Sequence, residues 1–337
     1  MHPDGIIYIV NCILILEVFM SLKDNILEEL KNNRDFISGQ ALADKYNVSR
    51  GAIWKSINTL KKDGYVIDSV TNKGYKILSQ DNVISSDEIK LYLGEYSNNI
   101  NIRIFDSIDS TNTKLKSMAT EGAPEHTLII ANHQTNGHGR FGRNFYSPSQ
   151  TGTYFSLLLK PDFNITSATL ITSMTAVAIC KSIESLTGKT PGIKWINDIY
   201  FDNKKIAGIL TEASTDFETG MIHYIIIGIG INISTKDFPD EIADKAGSLG
   251  ENISKNKLIA SIISNIYDMY YRLPDSGFIN TYRHYSIMIG KSITYKIKNV
   301  THPGTVTGID DFGGLIVLSK NGDTVTLTSG EVTILSF

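Results

Sequence analysis

Between residues 21 and 80 the apolar positions recur with a helical period: Ile26, Leu27 and Leu30, then Ala41, Leu42 and Tyr46, then Ile53, Ile57 and Leu60. Three short helices are predicted. Tyr46-Asn47-Val48 separates the second from the third, and Ser49 is a good N-cap for a helix running to about Lys62. After Gly64 the pattern changes to two short runs, Tyr65–Val70 and Tyr75–Leu78, joined by Thr71-Asn72-Lys73-Gly74, which predicts a hairpin. Helices followed by a hairpin make a winged helix-turn-helix. From Ser85 onward helices and strands mix. Asp87–Leu93, Ala168–Leu186 and Lys257–Leu273 read as helices; Ile102–Phe105, Thr127–His133, Thr153–Leu159, Ile206–Leu210 and Ile222–Ile233 read as strands. Beyond Gly290, short strands alternate with the turn signals His302-Pro303-Gly304, Asp311-Phe312-Gly313-Gly314 and Lys320-Asn321-Gly322-Asp323, a pattern that fits a β-barrel of about 50 residues. The chain therefore reads as α+β: a winged helix at 21–80, a mixed α/β domain at 81–285 and a small β domain at 286–337.

Composition narrows this picture. At 337 residues, 42% apolar and 20% charged, the chain is a globular protein of about two domains, which excludes disorder, collagen and coiled coil. The net charge of −3 shows no global affinity for polyanions, yet residues 21–80 carry ten Lys/Arg against seven Asp/Glu, leaving the remainder at −6. Cys12 and Cys180 lie far apart without metal-ligand spacing, which suits a reducing cytoplasm and excludes a disulfide framework. The apolar stretch Ile6–Phe19 is 14 residues long and contains Asn11 and Glu17, too short and too polar for a bilayer crossing of about 20 residues. No Lys or Arg precedes it and no A-x-A follows, so residues 1–20 read as an extension outside every module, with no membrane partner.

If Ile53, Ile57 and Leu60 face inward, Arg50, Trp54, Lys55 and Asn58 point outward on the third helix. Such a face can enter a major groove, with Ser49, Arg50 and Lys55 on phosphate or guanine, Asn58 on adenine and Lys73 of the wing on the backbone. The same face could also make protein contacts. Helix-turn-helix spacing, wing and local basicity agree on DNA.

Three polar clusters interrupt the apolar pattern downstream. Gly137-His138-Gly139-Arg140-Phe141-Gly142-Arg143 combines glycines that allow close backbone approach with arginines that fork onto carboxylate or phosphate. An ordinary surface loop is the competing reading, and a P-loop is excluded because no G-x-x-x-x-G-K-[ST] is present. Lys194-Trp195-Ile196-Asn197-Asp198, followed by Lys204-Lys205-Ile206-Ala207-Gly208, gathers cations, an aromatic ring and a carboxylate; Lys205 is either a solvated strand end or a charge aimed into a cleft. Asp109-Ser110-Thr111-Asn112 is either a plain helix cap or a helix N-terminus that holds a polar ligand. Gly228-x-Gly230 lacks the third glycine and the helix that a dinucleotide site needs.

Taken in order, Ser-Thr-Asn, Gly-x-Gly-Arg-x-Gly-Arg, Lys-Trp-x-Asn-Asp, Lys-x-Ala-Gly-Ile-Leu and Gly-x-Gly-x-Asn closely resemble the biotin protein ligases, and the winged helix resembles the class that also represses a biotin operon. The resemblance spans about residues 22–337, including Ser329-Gly330-Glu331-Val332 in a segment similar to the family's SH3-like barrel. It implies that biotin and ATP, with Mg²⁺, form biotinyl-5'-adenylate, and that biotin passes to a lysine of a biotin carboxyl carrier protein. It further implies a homodimer on operator DNA. By motif match, Lys205 and Arg140 are catalytic. Ser110, Thr111, Asn112, Gln134, His138, Gly139, Arg140 and Lys205 line the biotin site, and Arg143, Asn197, Asp198 and Asn232 serve the nucleotide. Trp195 is either a wall of the site or a core residue. No metal ligands are identified. Two departures stand out: His138 replaces the first arginine of the family loop, which would weaken adenylate retention, and Ile196 replaces a proline. Lipoate ligases share the implied fold, and a sensor without catalysis is the alternative outside enzymes; the winged helix argues against the first, and Lys205, Arg140 and Asp198 against the second.

Overall fold

The computed structural model describes residues 21–337 apart from 34, 63–64, 80–82, 162–167, 217, 219–220, 251–252, 274, 298–299 and 336–337. The expectations for residues 1–20, Cys12 included, lie outside the described residues. The chain forms two compact units, one ending at Val83 and one running from Ile84 to Phe337.

In the first unit, helices α1 (Leu22–Asn32), α2 (Gly39–Lys45) and α3 (Arg50–Lys62) precede a hairpin of β1 (Val66–Val70) and β2 (Gly74–Ser79). Serine starts each helix. The Ser21 hydroxyl accepts from the Asp24 N–H in a capping box, and the Ser38 and Ser49 hydroxyls accept from the Ala41 and Ala52 N–H groups at 3.0 and 3.2 Å. The predicted apolar positions Ile26, Leu30, Leu42, Ile53, Ile57 and Leu60 form the core, joined by Ala43 and Ile67. The hairpin is tied back by a reciprocal backbone pair between Ile37 and Tyr75. Gly74 has φ 107°, and a Cβ there would lie 2.0 Å from the Ile37 carbonyl oxygen, so only glycine lets the wing close on the helices.

The second unit is built on a seven-stranded sheet ordered β3-β4-β5-β9-β8-β7-β6. Its strands are β3 (Asn101–Phe105), β4 (Thr127–Ala131), β5 (Gly152–Leu159), β6 (Gly192–Lys194), β7 (Asp198–Phe201), β8 (Lys204–Thr215) and β9 (Ile222–Asn232). Only β3 and β4 run parallel. Every residue of β4 and β5 is buried, which is why both read as unbroken apolar runs rather than alternating ones. Flanking helices are α4 (Ser86–Leu93), α5 (Thr111–Thr120), α6 (Ala168–Thr187), α7 (Asp240–Ala243), α8 (Lys255–Tyr270) and α9 (Phe278–Tyr285). Most of α6 is buried, packed against α8 and α9 and the sheet, so its apolar positions are not confined to one stripe, and small hydroxyl residues such as Ser173, Thr175 and Ser182 are buried among them.

A second, antiparallel sheet follows, ordered β13-β12-β11-β10-β14, from β10 (Ser292–Ile297), β11 (Val300–Ile309), β12 (Leu315–Ser319), β13 (Thr324–Leu327) and β14 (Val332–Ile334). Its inward residues Ile293, Tyr295, Val306, Leu315 and Val317 join the same apolar cluster as the large sheet, so the two pack as one body. Strand β4 stops at Ala131 rather than His133, because Gln134 leaves the sheet to pair with Ile108. The short β6–β7 hairpin and α9 are not among the elements that the sequence pattern predicts. No helix among the described residues is long and apolar enough to cross a membrane.

Candidate active site and DNA-facing helix

Between the N-terminus of α5 and the faces of β8 and β9 lies a cleft of about 190 Å³. Its floor is made of glycines that face one another across the strands. Gly208 pairs with Gly230, and Gly228 sits opposite Ser156 of β5. A Cβ on Gly230 would lie 2.4 Å from the Phe145 ring, and one on Gly228 would lie 2.1 Å from Asn112 Oδ1. The Gly228-x-Gly230 pair thus has nothing to do with a dinucleotide: its missing side chains admit Phe145 and Asn112 to the sheet face.

The α5 end of the cleft is a dense hydrogen-bond network. The Thr111 N–H donates to Gln134 Oε1 at 2.8 Å, and Gln134 Nε2 donates to Ser147 Oγ at 3.0 Å. Asn112 Nδ2 donates to Glu212 at 2.7 Å and to the Leu210 carbonyl at 3.3 Å, while its Oδ1 lies 2.6 Å from Ser156 Oγ. Ser110 caps α5 without using its side chain, so its hydroxyl is not spent on the helix. Both ends of the Asn112 amide are engaged and the residue is buried, so Asn112 shapes the cleft by holding its neighbours.

The opposite end is cationic. Lys205 does not project into solvent as a strand end: its N–H donates to the Lys245 carbonyl, and its ammonium meets Asp198 Oδ1 at 2.7 Å. That oxygen is buried and has no other partner among the described residues. The β6–β7 turn carries Asn197, whose Nδ2 donates to the Ile209 carbonyl at 2.9 Å and whose Oδ1 accepts from Arg140 at 3.2 Å. Arg140 also donates to the Gly330 carbonyl at 3.1 Å, and Arg143 pairs with Glu331. Loop 137–143 is therefore drawn onto the C-terminal sheet, and the Gly139 N–H closes on the Arg143 carbonyl at 2.7 Å. Burial lowers the pKa of Arg140, with Asp198 and Glu331 opposing it, and burial lowers that of Lys194. Desolvated cations of this kind attract anions far more strongly than solvated ones. Trp195 satisfies both readings, since it is buried and lines the cleft, its indole N–H donating to the Gly313 carbonyl at 2.8 Å.

Of the residues singled out in the sequence, Ser110, Thr111, Asn112, Gln134, His138, Gly139, Arg140, Arg143, Asn197, Asp198 and Lys205 share this cleft. Asn232 does not line it; its Nδ2 donates to the Gly247 carbonyl at 3.1 Å. Lys194, Phe145 and Gly208 line it without having been singled out for the site. A signal existed for Gly208, because a glycine inside a strand marks close approach. For a nucleotide-borne Mg²⁺ the fit is limited to single carboxylates: Asp198 and Glu331 line the cleft, each paired with a cation, and no cluster of three ligating side chains occurs among the described residues. That suits an ion held mainly by phosphate oxygens and water.

On α3, Arg50, Trp54 and Lys55 are exposed and Asn58 is half-buried, while Lys73 is exposed at the wing turn. Trp54 is 61% exposed, far more than a core tryptophan permits. The Ser49 oxygen is engaged in the α3 cap, accepting from the Ala52 N–H.

Comparison with known proteins agrees with this architecture. Residues 23–76 match an HTH domain, 104–232 the biotin/lipoate A/B protein ligase family and 288–335 the biotin protein ligase C-terminal domain. The bifunctional ligase/repressor BirA of Bacillus spizizenii is 36% identical over 297 residues, covering 86% of this chain and 91% of that protein. The Escherichia coli protein of the same name is 26% identical, covering 94% and 99%. The solved biotin protein ligase of Aquifex aeolicus in complex with biotin and ATP superposes with a TM-score of 0.61 at 26% identity, covering 69% of this chain and 97% of that one. With a winged helix in front, the conserved order of ligase modules behind it and a relative this similar along nearly its whole length, the chain belongs to the bifunctional ligase/repressor family of biotin protein ligases.

Proposed function

We propose that this protein condenses biotin with ATP to biotinyl-5'-adenylate, transfers the biotinyl group to a lysine of a biotin carrier protein, and represses biotin-related genes as a ligand-bound dimer on operator DNA. The observation that carries the catalytic half is one cleft with a neutral hydrogen-bonding end at Thr111 and Gln134 and a cationic end at Arg140, Lys194 and Lys205. A biotin carboxylate oxygen attacks the α-phosphorus of ATP, the bond to the β-phosphate bridging oxygen breaks, and pyrophosphate leaves. Two anions must meet for this, so the barrier is largely electrostatic. Lys205, oriented by Asp198, is the charge placed where carboxylate and α-phosphate converge; Arg140, steadied by Asn197, is the fork beside it. Arg143 exchanges Glu331 for phosphate. Asp198 would be the protein carboxylate nearest a Mg²⁺, whose chemistry is to neutralise the nucleotide's phosphates. In the second half-reaction the carrier's neutral lysine amine attacks the acyl carbon, AMP leaves and the new amide sheds a proton. The ring of Trp195 and the Phe145 face exclude water from the reactive acyl phosphate.

The regulatory half rests on the exposed α3 face and wing, with Arg50, Lys55 and Lys73 on phosphates or guanine, Asn58 on adenine and Trp54 against the groove. A dimer supplies two such faces to a two-fold operator. One experiment separates the readings: incubation with ATP, Mg²⁺ and either biotin or lipoate, followed by mass spectrometry of the acyl adenylate. Biotinyl adenylate is expected; lipoyl adenylate alone, or no adenylate, would overturn the ligase assignment.

A further inference from the structure

The hydroxyl groups at the α5 end of the cleft cannot all donate where they touch, and the way their protons must be shared has a consequence for ligand choice. Glu212, as a carboxylate, and the Leu210 carbonyl only accept, and both face Asn112 Nδ2 at 2.7 and 3.3 Å. This fixes which end of the Asn112 amide points away from them. Asn112 Oδ1, an acceptor, then faces Ser156 Oγ at 2.6 Å, so the single proton of Ser156 is committed to it. Ser156 Oγ also touches Thr111 Oγ1 at 2.7 Å, and with its own proton spent it must accept there, taking the Thr111 proton. Gln134 is oriented independently: Ser147 Oγ lies 2.9 Å from the Phe145 carbonyl and gives it its proton, so Gln134 must present Nε2 to Ser147 and Oε1 to the Thr111 N–H.

The result is two oxygens of lining residues, Thr111 Oγ1 and Gln134 Oε1, 3.1 Å apart with no proton between them. Two bare acceptors at that separation repel until a donor enters. We propose that Ser156, a buried residue that does not touch the cleft, is a positioning residue: it keeps this pair proton-free, ready for the ring N–H groups that the biotin reading brings to Thr111 and Gln134. The proposal rests on the biotin reading, since the cyclic urea of biotin supplies such N–H groups and a dithiolane supplies none. Glu212 acts one step further back, holding the Asn112 amide in the orientation that consumes the Ser156 proton. Without Ser156, the Thr111 hydroxyl turns to Gln134 Oε1 and fills the site with its own proton.

The test compares wild type with Ser156→Ala, using biotin and each of its two mono-N-methyl isomers. In Ser156→Ala the biotin dissociation constant should rise about tenfold, the worth of one hydrogen bond, with kcat at saturating biotin and the KM for ATP within about twofold. In wild type one methyl isomer should bind about tenfold more weakly than biotin, and for that isomer Ser156→Ala should cause no further loss, because the hydrogen bond is already gone. A loss from merely structural damage would fall equally on all three ligands. Unchanged biotin affinity in Ser156→Ala, or equal losses for biotin and both isomers, would overturn the proposal. If the alanine variant does not fold, Glu212→Met, which unpins the Asn112 amide from a half-exposed position, is read by the same criteria. Failure of wild type to bind biotin at all would instead remove the biotin reading itself.

Discussion

Lys255 offers a sharp test of how the second unit is stabilised. It is the first residue of α8, 1% exposed, and its ammonium donates to the Gln150 carbonyl at 2.6 Å. A cation at a helix N-terminus meets the positive end of the helix dipole. Burial pushes its pKa from the ordinary 10.5 down to about 8. The unfolded chain therefore keeps the proton up to about pH 10.5 while the folded one releases it near 8, so in between the unfolded state binds more protons and stability rises with pH. Between pH 7 and 9.5 the rise amounts to roughly 2 kcal/mol. The buried tyrosines Tyr154 and Tyr282, whose pKa values burial raises, act in the opposite sense as pH climbs past their unfolded value of about 10. Lys255→Met removes the lysine contribution and leaves the tyrosines, so the quantity to follow is the difference in unfolding free energy between wild type and variant. Urea titrations at pH 7, 8, 9 and 9.5 should show wild type gaining roughly 2 kcal/mol on the variant across the series. A difference constant to within about 0.5 kcal/mol would mean that Lys255 is not held charged and desolvated below pH 8.

Four further outcomes follow from the geometry. Lys205→Ala should slow adenylation about 10- to 100-fold, as expected for a charged contact of about 1.5–3 kcal/mol, and slow transfer from supplied biotinyl adenylate far less; unchanged single-turnover adenylation would remove Lys205 from the first step. Gly230→Ala drives a Cβ to 2.4 Å from the Phe145 ring, so the ring must move and the biotin KM should rise at least tenfold without loss of the cooperative unfolding transition, whereas a wild-type KM would show that the ring does not shape the site. His138→Arg adds a forked donor at the cationic end of the cleft, where the adenylate phosphate would sit, and should slow adenylate dissociation about tenfold in a chase experiment, an unchanged off-rate showing that position 138 makes no ligand contact. Removing residues 1–83, a unit with its own core, should abolish operator binding in a mobility-shift assay and leave biotin-dependent pyrophosphate exchange measurable; retained operator binding would refute the winged-helix interface.

Local rules made much of this protein legible in its sequence. Ile53, Ile57 and Leu60 recur at helical spacing because one stripe of α3 is buried, and Ser49 precedes them because the first turn needs an acceptor for its N–H groups. Arg140, Asn197, Asp198 and Lys205 could be named because charged and amide groups stand out against apolar strands. Their partnership could not, since contacts such as Arg140 to Asn197 and to Gly330 join residues whose separation along the chain no periodicity encodes. Tertiary structure alone decided that Lys205 turns onto Asp198 instead of solvent and that Asn112 is a buried brace. It likewise decided that Gly208, Gly228 and Gly230, visible in the sequence only as glycines within strands, align across β8 and β9 into the floor that receives Phe145 and Asn112. The physical reason is that strand register is set by the whole apolar face at once, whereas a helix is written within a few residues of itself.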